Sequence, residues 1–440
     1  MGSDFRASLY GMAQRAAGVN YKAPLDAIRS VTQAESLLVA ANADSLRRLL
    51  SHAFLNVPYY HDLFLEMGVV GDGEVDPSRY PSLPILTKGA IRANSTRMTS
   101  ADIRGRRSYV DSTGGSSGEP LEVLKDRFYD GWRIATSIYH CEEMVGLDYF
   151  KSRKLFFGNP RRISPRGAKR RSSEMFTNSV FLSQMILTES AMMGHLNRWN
   201  SFRPDIVHAF SEALYELAKL VERKGLEVRS PKAIITAGSV LDEDFREKIE
   251  AVFGCRVYDF YGAVEAGAIA GECGSGSMHL FSFETHVELL ERGGLGDARE
   301  VVITPLHNYA MPLIRYAIGD TAASRGSGCS CGSVLPTIGK VMGRTIDYLR
   351  REDGTLVLGS YFTPLFSVES IEGFQIIQED YRRIRILLAA KQVEESWRAH
   401  VEGEFHRLMG SDCLIIWEDV DRIPRAPAGK RIVVRSLIDR

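Results

Sequence analysis

The sequence predicts an α/β protein: a large N-terminal domain of mixed and parallel sheets under covering helices, then a small C-terminal α+β lid. Three observations carry this reading. From Pro204 onward, short apolar β runs alternate with longer amphipathic helical stretches, the pattern of strands joined by crossover helices. The chain of 440 residues is 44% hydrophobic and 25% charged, ordinary for a soluble globular protein of two or three domains. Near Arg344 the composition shifts, and the last stretch of chain reads strand, helix, strand. The expected boundary divides residues 1–343 from residues 344–440.

The elements are taken in chain order. Residues 31–66 carry Leu37, Leu38, Leu46, Leu49, Leu50 and Phe54 at helical spacing, ending near Val57-Pro58. Pro81 to Pro84 is a loop, and Thr87-Lys88 opens a short helix. Arg107–Val110 and Leu121–Leu124 read as strands around a glycine- and hydroxyl-rich loop. A helix over Asp126–Val145 should turn Trp132, Ile134 and Ile138 inward. Lys151–Arg171 is dense in Arg and Lys with interspersed Gly and Pro, and reads as a solvated basic loop or a docking patch for a phosphate-bearing cosubstrate. Strands are expected at Asp205–Ala209, Ala233–Thr236 and Val257–Tyr261, with helices at Ser211–Lys224 and Asp242–Phe253. Arg350–Thr355 is a hairpin with an Asp-Gly turn. Arg382–Leu388, Glu394–Leu408 and Cys413–Trp417 close the chain as β, α, β.

Charge and hydropathy exclude several classes. Lys plus Arg is 55 and Asp plus Glu is 55, so no basic excess points to nucleic acid. No apolar run is long enough to span a bilayer, and the arginine-bearing N-terminus lacks a secretory apolar region, so a cytoplasmic protein without a membrane partner is expected. The 6 cysteines are then expected to be reduced.

The segment Thr113-Gly114-Gly115-Ser116-Ser117-Gly118 can turn backbone N–H groups and hydroxyls inward on an anion. Alone it is either a phosphate cradle or a surface turn. Four further stretches come after it in order: Tyr261-Gly262-Ala263-Val264-Glu265, Tyr316-Ala317-Ile318-Gly319-Asp320, Gly343-Arg344-Thr345-Ile346-Asp347 and Pro424–Lys430. This order resembles the adenylate-forming superfamily of acyl-CoA synthetases. Asn56–Tyr60, Pro84–Lys88, Pro204–Ala209 and Leu313–Tyr316 narrow the resemblance to the phenylacetate–CoA ligase, coenzyme F390 synthetase and CapK-like family, over roughly residues 30–440.

The resemblance implies ATP-dependent activation of a carboxylic acid as an acyl-adenylate, followed by transfer to a thiol such as CoA. It implies pyrophosphate held by Thr113–Gly118, Mg²⁺ by Glu265, ribose by Asp320 and Arg344, and the α-phosphate and acid carboxylate by Lys430. Further ATP and AMP contacts would come from Ala237, Gly238, Ser239, Asp259, Phe260, Tyr261 and Gly262. The acyl pocket would draw on Trp132, His208, Phe210 and Ala266, although His208 and the aromatics also suit plain core packing. Gly343–Asp347 would be the hinge of the lid. The chain departs from the family pattern at Gly114, Glu119, Ser239, Val264 and Ile346. Two other readings stay open: an amide-forming ligase that passes the adenylate to an amine, and a catalytically silent binding relative. A carrier protein is a further possible acceptor.

Cys273, His279, Cys329 and Cys331 form a second signal. Three thiolates and an imidazole suit a tetrahedral structural zinc, with unrelated reduced cysteines as the alternative. Cys141, Cys255 and Cys413 read as small apolar residues.

Overall fold

The computed structural model describes residues 3–112, 121–158, 178–291, 298–323, 328–342, 344–346, 348–366, 368, 370–423 and 431–438. It divides into two compact units. One comprises residues 1–112, 122–151 and 258–342; the other comprises 113–121, 152–257 and 343–440.

The first unit begins with helices. Within residues 31–66 the helix Glu35–Asn56 stops at Val57-Pro58, as its spacing indicates, and a second helix, Pro58–Glu66, follows, because Pro58 cannot continue a helix but suits the first turn of the next. Leu38, Leu46, Leu49 and Leu50 are buried, whereas Leu37 is 48% exposed, since one residue rotates the face by about 100°. Ser108–Ser112 and Glu122–Asp126 pair antiparallel, Ser108 opposite Asp126 and Ser112 opposite Glu122. The next helix, Arg127–Tyr139, is capped by Asp126 accepting from the Tyr129 N–H and ends in a π turn, His140–Met144. Val257–Ala263, Gly267–Glu272, Met278–Leu280 and Thr337–Ile338 form an antiparallel run. Thr285–Glu291, Ala298–Pro305, Tyr316–Ala323 and Val341–Met342 form an antiparallel sheet.

The second unit holds the parallel sheet that the β/α alternation predicts. Ala233–Ala237, Ile206–Ala209, Lys154–Gly158 and Ser179–Ser183 lie side by side, all parallel. Helices Ser211–Lys224 and Glu243–Phe253 pack their apolar faces on it, in a core built around Leu214, Leu217, Ile249 and Phe253. Lys154–Gly158 corrects the expectation of a solvated loop over Lys151–Arg171. Its Leu155-Phe156-Phe157 run makes it a buried strand, and Lys154 is only 1% exposed; residues 159–177 lie outside the described residues.

The C-terminal segment has its own core, with Phe362, Phe366, Ile376, Ile386 and Phe405 at its centre. Ile371–Asp380 and Arg383–Ala390 form a hairpin, and Glu395–Met409 leads to Leu414–Asp419, within two residues of the expected β, α, β pattern. The Asp-Gly turn is present: Tyr348–Arg350 pairs with Leu356–Leu358, and Gly354 sits at φ +80°.

Candidate functional site

Tyr316 is where the motifs of the first unit meet. It is fully buried, and its phenol donates to Oε1 of Glu265 at 3.0 Å. The strand that carries it is anchored on each side by the stretches that stand out in the sequence. Leu86 bridges to it: the Leu86 N–H donates to the Arg315 carbonyl at 2.9 Å, and the Ala317 N–H to the Leu86 carbonyl at 3.0 Å. The Tyr60 phenol, fully desolvated, donates to the Pro312 carbonyl and accepts from the Ile314 N–H. Arg315, in the left-handed region at φ +52°, forks onto both oxygens of Glu288 and reaches the Pro81 and Leu83 carbonyls. A single guanidinium thus ties a loop, a strand and the approach to Tyr316.

A second side-chain bond runs the opposite way between the same two motifs. The Tyr261 phenol donates to Oδ2 of Asp320 at 2.9 Å. Tyr261 to Asp320 and Tyr316 to Glu265 form a reciprocal clasp, each motif giving its tyrosine to the other's carboxylate. Gly319, before Asp320, has φ +92°, a conformation that glycine adopts without strain. Asp259 and Phe260 lie on the same Val257–Ala263 strand, which bulges between Tyr261 and Gly262. A side chain at Gly262 would strike the Gly267 carbonyl at 2.5 Å, so the turn that presents Glu265 is closed too tightly for any other residue. Glu265 itself is 5% exposed; with one oxygen on Tyr316, its carboxylate retains acceptor capacity for a hard cation such as Mg²⁺.

Trp132 stacks on His307 with ring centroids 3.5 Å apart, and Ala266 is fully buried. Burial pushes the His307 imidazole down to about 3, so it is neutral beneath the indole. In the second unit, His208 stacks on its cross-strand neighbour Phe156 at 4.6 Å. Ala237 ends its strand, and the Phe210 ring lies against Gly238, where a Cβ would come within 2.6 Å of it. Ser239 stands where the family pattern has an acid, and its hydroxyl donates to Oε2 of Glu212 at 2.6 Å. A carboxylate from helix Ser211–Lys224 thus lies against the Ala237–Ser239 stretch. Arg344 lies on a strand, Arg344–Ile346, parallel to Arg431–Ser436. Thr113, Gly114, Gly115, Ser116, Ser117, Gly118 and Lys430 lie outside the described residues.

Cys273, His279, Cys329 and Cys331 come together as their spacing suggests, with all four ligand atoms within 4.8 Å of one another. Cys273 Sγ is 3.6 Å from Cys329 Sγ, and Cys331 Sγ is 3.4 Å from His279 Nε2. The other imidazole nitrogen, Nδ1, bonds the Leu335 carbonyl at 2.9 Å, which fixes the tautomer that turns the Nε2 lone pair toward the thiols. Cys141 and Cys413 are buried, as expected for small apolar residues.

Sequence reasoning passes over Lys125, Tyr129, Glu212 and Glu284. The signal for Lys125 is present: it is in phase with buried Val123 on an alternating strand, an unusual place for a lysine.

Residues 349–436 match the family described as the CapK C-terminal domain. The chain is 22% identical over 400 residues to Protein CapK of Staphylococcus aureus, covering 86% of this chain and 84% of that protein. It is 26% identical over 357 residues to phenylacetate–coenzyme A ligase of Aromatoleum evansii, covering 76% and 74%. The corresponding enzyme of Thermus thermophilus is 24% identical over 334 residues, covering 71% of each. Among solved structures, 2-hydroxyisobutyryl-CoA ligase in complex with its acyl-AMP and CoA has a TM-score of 0.61 at 14% identity, covering 93% of this chain and 92% of that one. The last likeness shows a shared fold; the sequence relatives bear out the resemblance carried by the motifs. Among the described residues, no helix is long and apolar enough to cross a membrane.

Proposed function

As a relative of the CapK-like and phenylacetate–CoA ligase proteins with the fold of adenylate-forming ligases, the chain is, we propose, an enzyme that activates a carboxylic acid with ATP and passes the acyl group to a thiol such as CoA. The single observation that carries the reading is the reciprocal clasp of Tyr261 on Asp320 and Tyr316 on Glu265. It holds two carboxylates in set orientations on adjoining motifs, as a metal ligand and a ribose acceptor require.

In this reading a substrate carboxylate oxygen attacks the α-phosphorus of ATP and the bond to the β,γ-phosphates breaks, releasing pyrophosphate. The acceptor thiol then adds to the acyl carbonyl, loses its proton, and AMP leaves. Thr113–Gly118 would cradle the departing pyrophosphate through N–H and hydroxyl donors. Glu265 would hold Mg²⁺, which supplies charge neutralisation at the phosphates. Asp320 and Arg344 would take the ribose hydroxyls. Lys430 would offset the charge that builds between carboxylate and α-phosphate. Residues 344–440, with their own core, would act as the lid that carries it. An amine acceptor is the second reading.

We further propose that Cys273, His279, Cys329 and Cys331 hold a structural zinc. The donor set is complete with protein atoms alone and leaves no position for water.

Pyrophosphate exchange over a panel of carboxylic acids tests the first half-reaction. One acid should support exchange, and Lys430→Ala should abolish it with unfolding unchanged. Undiminished exchange in that variant would sink the mechanism. Mass analysis of products with CoA, and with amines, then decides the acceptor.

A further inference from the structure

Two buried side chains outside the motifs close on the backbone at either side of Glu265. Lys125, on the Glu122–Asp126 strand, is 0% exposed; its ammonium donates to Oδ2 of Asp111 at 2.8 Å and to the carbonyl of Val264. Tyr129, in the first turn of the Arg127–Tyr139 helix, is also 0% exposed, and its phenol donates to the carbonyl of Ala266. Val264 and Ala266 are the two neighbours of Glu265. The strand before them ends at Ala263 and the next begins at Gly267, so these carbonyls sit in a turn outside the ladder.

Each peptide unit is a rigid plane. The Val264 carbonyl orients the plane entering Glu265, and the Ala266 carbonyl orients the far end of the turn that leaves it. Pinning both sets the direction in which the Glu265 Cα–Cβ bond points. The turn is also packed from beneath. Gly267 has φ +70°, and a Cβ there would meet the Tyr129 hydroxyl and Oε1 of Glu284 at 3.0 Å. The Tyr316 bond then sets the carboxylate's rotation, so the side chain is held at its root and at its tip. A neutral turn with two orphan carbonyls could be satisfied by water or hydroxyls. Placing a desolvated ammonium there is costly, and burial pushes the Lys125 amine down to about 8.

We propose that Lys125 and Tyr129 are positioning residues for Glu265, orienting its carboxylate toward the divalent cation that accompanies ATP. This rests on the reading of Glu265 as the Mg²⁺ ligand.

The test compares the parent chain with Tyr129→Phe, Lys125→Met and Glu265→Gln in two measurements. The first is Mn²⁺ binding by electron paramagnetic resonance in the presence of a non-hydrolysable ATP analogue, with no turnover. The second is backbone hydrogen exchange of residues 264–267 in the metal-free protein. Tyr129→Phe and Lys125→Met should each weaken Mn²⁺ binding by roughly five- to twentyfold, as loss of a buried or charge-assisted hydrogen bond implies. They should also speed exchange within the 264–267 turn, with the rest of the chain protected as in the parent. Mn²⁺ binding within twofold of the parent in both variants, with Glu265→Gln weakened, overturns the positioning role and leaves the metal role standing. Unchanged binding in Glu265→Gln overturns the metal reading, and the proposal with it. If Lys125→Met fails to fold, Tyr129→Phe, which removes one oxygen, decides alone.

Discussion

The Tyr261 phenol lies 2.9 Å from Oδ2 of Asp320, joining residues 59 positions apart. Asp320 therefore keeps one oxygen committed to a protein donor, which sets the plane of its carboxylate. With the Tyr316–Glu265 bond it makes the two motifs a single rigid piece.

Tyr261→Phe should raise the KM for ATP by about ten- to a hundredfold while changing kcat less. The bond to a carboxylate is worth roughly 1.5–3 kcal/mol, and its loss frees the ribose acceptor rather than the reacting atoms. Steady-state kinetics of pyrophosphate exchange against ATP concentration checks this. An unchanged KM would remove Asp320's dependence on Tyr261.

Purified protein should contain about one equivalent of zinc by elemental analysis, as a single four-ligand site requires. Cys331→Ser should lower that content. Chelation should depress the unfolding temperature, because a site that does not exist in the unfolded chain adds its binding free energy to folding. A metal-free protein of undiminished stability would exclude the site.

Glu284 should make stability fall as pH rises. It is fully buried, and burial raises its carboxyl from 4.5 to about 7, opposed by the Thr136 hydroxyl and the Arg133 guanidinium. The folded-state value lies above the unfolded one, so this group's stabilising contribution is complete below about pH 4.5 and is lost as pH climbs through 7. The gap corresponds to on the order of 3 kcal/mol. Urea unfolding of Glu284→Gln at pH 5 and pH 8 measures it: the variant should be the more stable of the two proteins at pH 8, and the advantage should vanish at pH 5.

Arg315→Met should destabilise the chain by about 3–5 kcal/mol, because it strands the Glu288 carboxylate, 15% exposed, without its cation and with only the Tyr80 hydroxyl donating to it at 2.8 Å. Adding Glu288→Leu should recover much of that loss. If the double variant is merely as unstable as the sum of the singles, the ion pair is not what holds the Pro81–Leu83 loop.

Much of the fold is legible along the chain. The helix Ser211–Lys224 has the bounds read from its periodicity, and the Asp-Gly hairpin and the final β, α, β pattern fall within a few residues of expectation. These are local features, written in spacing, caps and turn residues. The buried strand at Lys154–Gly158 escapes such a reading, because a surrounding charge cluster outweighs three apolar residues.

The sequence by itself determined the order of the motifs, the chemical types they carry, and the cysteine–histidine set that converges. Only the tertiary structure decided how those residues are held. That Tyr316 serves Glu265, that Glu212 stands behind Ser239, and that Lys125 and Tyr129 bracket one turn are facts about residues 27 to 139 positions apart. Hydropathy period and turn chemistry report neighbours within a few residues. A hydrogen bond between distant side chains leaves no such period, and exists only once the backbone has brought its donor and acceptor together.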